Sequence, residues 1–350
     1  MKSIEIAKLA GVSRSTVSRV INNYSNVPEK TRQKVMAVIN EHNYMPNSFA
    51  RTLAGKNSNT IGLFFIIRGG QEDGNRLFRN DYFASYLDII VDMANAKDYY
   101  VLVSIVSNED KYLKINQAFL EKRIDAGIII GTQNDTLTRI NAQNYNTSMI
   151  LFDYDMSKEE AKKYENTNFT IINSKDNLGI EKAVDYLYNL GHKEIGFIKG
   201  GETSRSAIVR FNGFKETMKR KNLYVNEDYL LEGDFSTDTA YSKVKSAIKN
   251  NKLATAYISA NDYMAFGAIK AFKEAGYTVP GDISIVGFDN THRAQESDLK
   301  LTTIGPNFYE MAKKAISVLD DQINGENIRS QLEIFEYDVE FFERDTCKKV

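Results

Sequence analysis

The 350-residue chain is 42% hydrophobic, long enough for two or more cored domains, and its single cysteine, Cys347, excludes an intramolecular disulfide framework and suits a reducing compartment. Its longest apolar runs, LFFII at 63–67 and GIIIG at 127–131, fall far short of the roughly 20 residues of a membrane-spanning helix, and the charged opening MKSIEIAKLAG argues against a secretory leader, so a cytoplasmic protein with no membrane partner is expected. The net charge of −1 hides an asymmetry: residues 1–59 hold nine Lys and Arg against three Glu, a net +6, which leaves −7 for the remainder, as a basic module on a neutral-to-acidic body would.

In chain order, Ile4, Ala7, Leu9 and Ala10 predict a short amphipathic helix, and Gly11 follows where a tight turn needs a permissive residue. Ser13 is a good N-cap for a second helix whose inner side is Val17, Val20 and Ile21. Together these make a helix-turn-helix. Its second helix turns Arg14, Ser15, Ser18, Arg19 and Asn22 outward, without a carboxylate among them. Donors and small hydroxyls suit phosphate oxygens and base edges in a major groove, so DNA is the expected partner. A third helix begins at Pro28, with Val35, Val38 and Ile39 inward.

Pro46 forces Met45 out of the helical region, and Asn47 or Ser48 can cap the short segment that follows. About eight residues are too few for a stable isolated helix. From Thr60 the chain alternates strand and helix: TIGLFFII, NDYFASYLDIIVDMANAK, YYVLVSIV, AGIIIG and SMILF, then after FTIIN a second series ending in DISIVGF. Such alternation predicts parallel sheets covered by helices on both faces, and the length argues for two lobes with a ligand cleft at the strand ends.

SIEIAKLAGVSRSTVSRVINNYSNVPEKTRQKVMAVINEHNYMPNSFARTLAG resembles, nearly without gaps, the DNA-binding domain of the lactose-repressor/galactose-repressor (LacI/GalR) family of bacterial transcription regulators. GHKEIGFIKGG, VRFNGFKETM, ATAYISANDYMAFGAIKAF, VPGDISIVGFDN and LTTIG resemble the family's body, which has the periplasmic sugar-binding-protein fold. The resemblance implies a helix-turn-helix domain at 1–45, a hinge helix and linker at 46–58, and a two-lobed α/β domain at 60–350 that binds ligand and dimerises. Its lobes are expected at about 60–170 with 305–333, and 171–304 with 334–350. LTTIGPNF would cross back to the first lobe, and FEYDVEFFERDTC would be the last strand.

The resemblance also implies roles. Arg14 and Ser15 would read bases, Ser13, Thr16 and Ser18 anchor phosphates, and Arg19 make a further base or backbone contact. In the hinge, Leu53 would wedge into the minor groove, flanked by Ala50 and Arg51, kinking the duplex at a cost of a few kcal/mol. In the cleft, Asp153 and Asp289 would accept from hydroxyls, Arg210 donate, Asn261 do both, and Phe235, Phe83 and Phe308 supply apolar walls.

Two features depart from the family. RGGQEDGNRLFRND at 68–81 is longer than the usual loop at the cleft mouth, and Pro306 stands where some sugar-binding members place a polar contact. The expected function is that of a DNA-binding repressor, a homodimer on operator DNA, whose affinity is set by a small-molecule effector, a sugar by this reading. A nucleobase or a phosphoprotein is the alternative signal, and a solute-capturing transport protein fits the basic N-terminus poorly. No GxSxG, Gly-rich phosphate loop or metal-spaced His/Cys cluster is present, and His42, His192 and His292 are isolated, so neither an enzyme nor a cofactor or metal is expected.

Overall fold

The computed structural model describes residues 1–21, 24–44, 57–67, 81–106, 109–140, 148–164, 168–325 and 332–350. Asn22 of the second helix, the expected hinge residues Ala50, Arg51 and Leu53, and the loop at 68–80 lie outside the described residues. Contacts divide the chain into two units, Met1–Ser58 and Asn59–Val350.

The first unit holds three helices, α1 (Ser3–Leu9), α2 (Arg14–Ile21) and α3 (Glu29–Glu41). Gly11 turns the chain between α1 and α2 at φ +59°, a conformation that costs glycine little. The small core is Ile6, Ala7, Ala10, Val17, Val20, Val27 and Val35, with Ile21, Val38 and Ile39 packed against it. The expected inner side of α1 holds in part: Ala7 and Ala10 are buried, but Ile4 and Leu9 are 62% and 52% exposed and Ile6 enters the core instead. Ile6, Ala7 and Ala10 lie three and four apart on one face of the helix, and Ile4 and Leu9 flank it on either side.

The second unit carries two six-stranded sheets. Sheet 1 contains β1 (Thr60–Ile66), β2 (Tyr100–Val106), β3 (Ala126–Ile130), β4 (Ser148–Phe152), β5 (Phe169–Ser174) and β11 (Glu333–Tyr337), in the order β11-β5-β4-β3-β1-β2 and parallel throughout. Its inner strands are buried on both faces: Ile61, Leu63 and Phe65 of β1 enter one core, Phe64 and Ile66 the other. That is why they read as unbroken apolar runs. Sheet 2 contains β6 (Ile195–Lys199), β7 (Leu230–Glu232), β8 (Ala256–Ser259), β9 (Ser284–Phe288), β10 (Thr302–Pro306) and β12 (Val339–Phe342), ordered β12-β10-β9-β8-β6-β7, with only β12 antiparallel.

Helices that position the site are α4 (Asp81–Asn95) on sheet 1, and α8 (Asp176–Asn189), α9 (Arg205–Arg220), α10 (Thr237–Lys249), α11 (Asp262–Glu274) and α12 (His292–Glu296) on sheet 2; α5 (Glu109–Leu120), α6 (Thr136–Arg139) and α7 (Lys158–Lys163) complete the first lobe. Helix α13 (Phe308–Ile323) returns to sheet 1, burying Met311, Ala315 and Leu319 beside Ile90 and Ala94 of α4.

The three crossings between lobes lie later than expected. β5 still belongs to sheet 1, so the first is at Lys175 rather than near 170. β10 still belongs to sheet 2, which moves the second to Asn307. The expected single last strand is in fact two, β11 and β12, in different sheets with Asp338 between them. Apolar patterning reports burial, not which neighbour a strand bonds to.

His192 is buried against the hydroxyls of Thr255 (2.9 Å) and Ser284 (3.1 Å) and the carbonyl of Lys348 (3.2 Å), so it ties the C-terminal segment to sheet 2. Burial lowers its pKa.

Candidate functional site

The first candidate surface is the outer side of α2. Ser13 Oγ accepts from the Thr16 amide at 3.0 Å, the N-cap the sequence predicts, and lies 2.7 Å from Ser15 Oγ and 2.8 Å from Thr16 Oγ1. Arg14 Nε donates to Ser3 Oγ at the start of α1 (3.2 Å). Val17 and Val20 face the core, which leaves Ser13, Arg14, Ser15, Ser18 and Arg19 exposed and Thr16 half-buried. No acidic residue occupies the first turn, so a helix N-terminus, an arginine and a row of hydroxyls share one face. That combination attracts phosphate and donates to base edges.

The second is a cavity of about 1220 Å³ between the two sheets, at the C-terminal ends of their strands. The strand ends bend sharply there. Asp153, after β4, has φ +52°; Asp234 and Phe235, after β7, have +50° and +54°; Asp289, after β9, has +107°. Left-handed backbone at non-glycine residues is uncommon and gathers at functional sites. Gly131, after β3, has φ +83°, and a Cβ there would meet the Ile66 carbonyl oxygen at 2.4 Å.

The lobes touch on both flanks of the cavity. On one, Thr203 Oγ1 donates to Gln133 Oε1 (2.5 Å) and the Asn134 amide to the Thr203 carbonyl (3.2 Å), while Arg205 Nε meets Asp155 Oδ1 at 2.7 Å. On the other, the Asp81 amide donates to the Tyr263 hydroxyl, and the Arg293 amide donates to Asp81 Oδ2 at 3.3 Å.

Within the cavity, Arg210 organises the polar groups. Its side chain is 3% exposed and lies over Phe288, 3.6 Å from the ring centroid. Nε donates to Asp176 Oδ2 (2.7 Å), and Nη1 to the Ala260 carbonyl (2.6 Å) and Asp289 Oδ1 (3.2 Å). Burial opposes its charge, but Asp176, Asp289 and Asp153 more than offset this and raise its pKa. Burial pushes the Asp289 carboxyl well above the usual range, with Arg210 opposing and Asp262, Asp176 and Asp153 adding. Asp153 is raised too, by burial and then by Asp176. Its Oδ2 accepts from the Tyr82 phenol at 2.6 Å, and its shielded Oδ1 has no hydrogen-bond partner among the described residues. Asn261 caps α11 through Oδ1, which accepts from the Met264 amide at 2.9 Å, and its side-chain nitrogen donates to no other group among the described residues.

Residues 4–47 match the model of bacterial regulatory proteins, lacI family, and residues 184–347 that of a periplasmic binding protein-like domain. The HTH-type transcriptional repressor PurR of Histophilus somni (strain 129Pt) is 30% identical over 322 residues, 91% of each chain. The chain belongs to the LacI family. The HTH-type transcriptional regulator MalR of Clostridium butyricum is 30% identical over 351 residues, 98% of each chain. The Lac repressor dimer bound to operator and the anti-inducer ONPF superposes with a TM-score of 0.80 at 27% identity, covering 99% of both chains. This LacI-family chain is a DNA-binding transcriptional regulator, not an enzyme, and among the described residues no helix is long and apolar enough to cross a membrane.

Of the residues the LacI-family resemblance put in the cleft, Phe83, Asp153, Arg210, Phe235, Asn261 and Asp289 line one cavity. Phe308 is not among its lining residues; it stands behind Tyr82, edge-on at 5.5 Å. Pro306 ends β10 and pairs with Val339, also away from the lining. Sequence reasoning missed Tyr82, which holds Asp153, and Asp176, which holds Arg210. Both sat beside singled-out features, Phe83 and the restart of the strand-helix alternation, but neither belongs to a motif.

Proposed function

We propose that this regulator is a homodimeric repressor whose grip on operator DNA is set by a small sugar bound between the two lobes. The observation that carries it is the convergence of Asp153, Arg210, Asn261 and Asp289 on one cavity whose rims are bridged on both flanks. Carboxylate acceptors, a guanidinium and a free amide, beside the apolar faces of Phe83 and Phe235, match a polyol's alternating hydroxyls and C–H faces.

Arg14 and Ser15 read bases in this proposal, Ser13, Thr16 and Ser18 anchor phosphates, and Arg19 makes a further base or backbone contact. Asn22 is a further contact on the outward face of the second helix, and the hinge residues Ala50, Arg51 and Leu53 keep the roles their family resemblance implies. The two-fold partner is a second copy seated on β2. That edge strand exposes Tyr100, Leu102 and Val103, and neighbouring α5 exposes Leu113 and Leu120, an apolar edge that isolated sheets rarely leave bare. The Lac repressor to which the chain is similar is described as a dimer bound to operator and an anti-inducer, which supports both partners. Ligand acts by changing the bridging contacts between lobes, a coupling of typically about 1–3 kcal/mol.

The test is thermal unfolding of the full chain against mono- and disaccharides, purines and a phosphoprotein. A sugar at about 100 times its dissociation constant adds roughly 2.7 kcal/mol, a rise of several degrees. The same sugar should then change operator affinity measured by fluorescence anisotropy. A rise with a purine or the phosphoprotein alone replaces the sugar reading.

A further inference from the structure

Arg205 is a buried cation outside the ligand cavity. It opens α9 on the second lobe, and its side chain is 8% exposed. Thr203, Ser204, Ser206 and Arg210 around it line the cavity, but Arg205 does not. The groups that hold its guanidinium all belong to the first lobe. Nε donates to Asp155 Oδ1 at 2.7 Å, Nη1 donates to the Ser174 carbonyl at 3.3 Å, and Nη2 lies 3.9 Å from Glu336 Oε1. Burial opposes the charge, but Asp153, Asp155 and Asp176 more than offset this.

Those groups follow the strand order of sheet 1. Glu336 is on β11, Ser174 ends β5, and Asp155 comes just after β4, so the guanidinium spans three neighbouring strands. Two of the crossings between lobes are at this edge, and they are tied to each other. Lys175 Nζ meets Asp338 Oδ1 at 2.8 Å, and the Lys175 amide donates to the Tyr337 carbonyl at 2.9 Å. The remaining bridges lie further along the sheet, Gln133 and Asn134 beyond β3 and Asp81 beyond β1. β1 is three strands from β5, roughly 14 Å at about 4.8 Å per strand. A small rotation at the crossings therefore separates the Asp81 contacts far more than it separates Arg205 from its partners.

Packing alone does not call for a cation at this place. A methionine fills a comparable volume without the desolvation cost, and the best-attested use of a buried ion is to fix the register between parts of a fold. A planar fork that meets three strand ends at once fixes the second lobe against sheet 1 in direction as well as in distance.

We infer that Arg205 is the positioning residue of the interlobe seam: its grip on Asp155, Ser174 and Glu336 sets the register in which the Thr203 and Asp81 bridges meet, and with it how often the cleft opens. This builds on the reading that regulation runs through the contacts between lobes.

The experiment is hydrogen exchange on the full chain with no carbohydrate added, resolved to single amides by mass spectrometry. Asp155 is 67% exposed, so Asp155→Ala leaves the core intact. It should speed exchange by roughly 10-fold at the Asp81 and Arg293 amides, which bond across the opposite flank of the cavity. Arg205→Met should do at least as much, and Arg205→Lys, which keeps the charge but loses the fork, should fall between the parent and Arg205→Met. Combining Asp155→Ala with Arg205→Met should add nothing to Arg205→Met alone, because both changes remove the same contact. Faster exchange confined to the neighbours of Arg205, with Asp81 and Arg293 unchanged, would show a local structural role and overturn the inference.

Operator binding separates this inference from the regulatory reading. DNA selected from a random pool by the parent chain should bind Asp155→Ala with an affinity changed by about 5-fold or more. Faster exchange at Asp81 and Arg293 with unchanged DNA affinity upholds Arg205 as the positioning residue and removes the reading that regulation runs through the seam.

Discussion

The outer side of α2 and the interlobe cleft use the same chemical vocabulary, arginine with small polar partners, in opposite surroundings. Arg14 is exposed and, among the described residues, makes one side-chain hydrogen bond, to Ser3, so its guanidinium keeps most of its donors for a partner. Arg210 is sealed between two carboxylates, a carbonyl and an aromatic ring, and most of its donors are committed to the fold. An exposed arginine costs the fold almost nothing and recognises from outside. A buried one is structural first, and its binding role is limited to the single nitrogen it has left. The two regions therefore separate stability from recognition differently, and substitutions should separate them too.

The sharpest contrast is Arg210→Met. It strands Asp176 and Asp289 without their cation, and breaking a buried pair from one side costs about 3–5 kcal/mol. Urea unfolding should show that loss in the second unit, and an unchanged midpoint would collapse the distinction. Arg14→Ala should leave the unfolding curve in place yet lower discrimination at one operator base pair by roughly 5- to 150-fold. Equal weakening across all operator variants would make Arg14 a phosphate contact instead.

Ser13→Ala tests whether an exposed recognition residue can also be structural. Losing the bond to the Thr16 amide should cost the first unit about 1 kcal/mol, read from its melting by circular dichroism.

A buried acid also leaves a pH signature that the exposed surface lacks. Asp262 accepts from the Thr291 amide (2.8 Å), the Thr291 hydroxyl (2.9 Å) and Thr303 Oγ1 (2.6 Å), yet burial raises its pKa to about 6. The folded protein therefore takes up this proton before the unfolded chain does, and Asp262 adds stability as pH falls through about 6. Buried His192, its pKa lowered, acts in the opposite sense, since the unfolded chain is protonated first. Asp262→Asn removes the favourable contribution, so between pH 7 and pH 5 the variant should lose about 1 kcal/mol more than the parent. Parallel melting curves at the two pH values would place the Asp262 proton elsewhere.

The helix-turn-helix was legible from sequence alone because its contacts are short-ranged. A cap at Ser13 serves Thr16, a glycine turns the chain at position 11, and valines three apart, at 17 and 20, pack inward. Even there, the apolar residues of so short a helix fit more than one face, and only the packed structure shows that Ile6, with Ala7 and Ala10, turns inward rather than Ile4 and Leu9. The α/β alternation was equally legible, since strands buried on both faces must be continuously apolar. Only the tertiary structure decided where the chain changes lobes, that Phe308 backs Tyr82 rather than lining the cleft, and that Asp153 is held by a residue 71 positions before it and Arg210 by carboxylates 34 and 79 positions away. Helical and strand periods arise from neighbours along the chain and leave their trace in it. A buried carboxylate finds its partner across a fold, and no repeat in the sequence records that meeting.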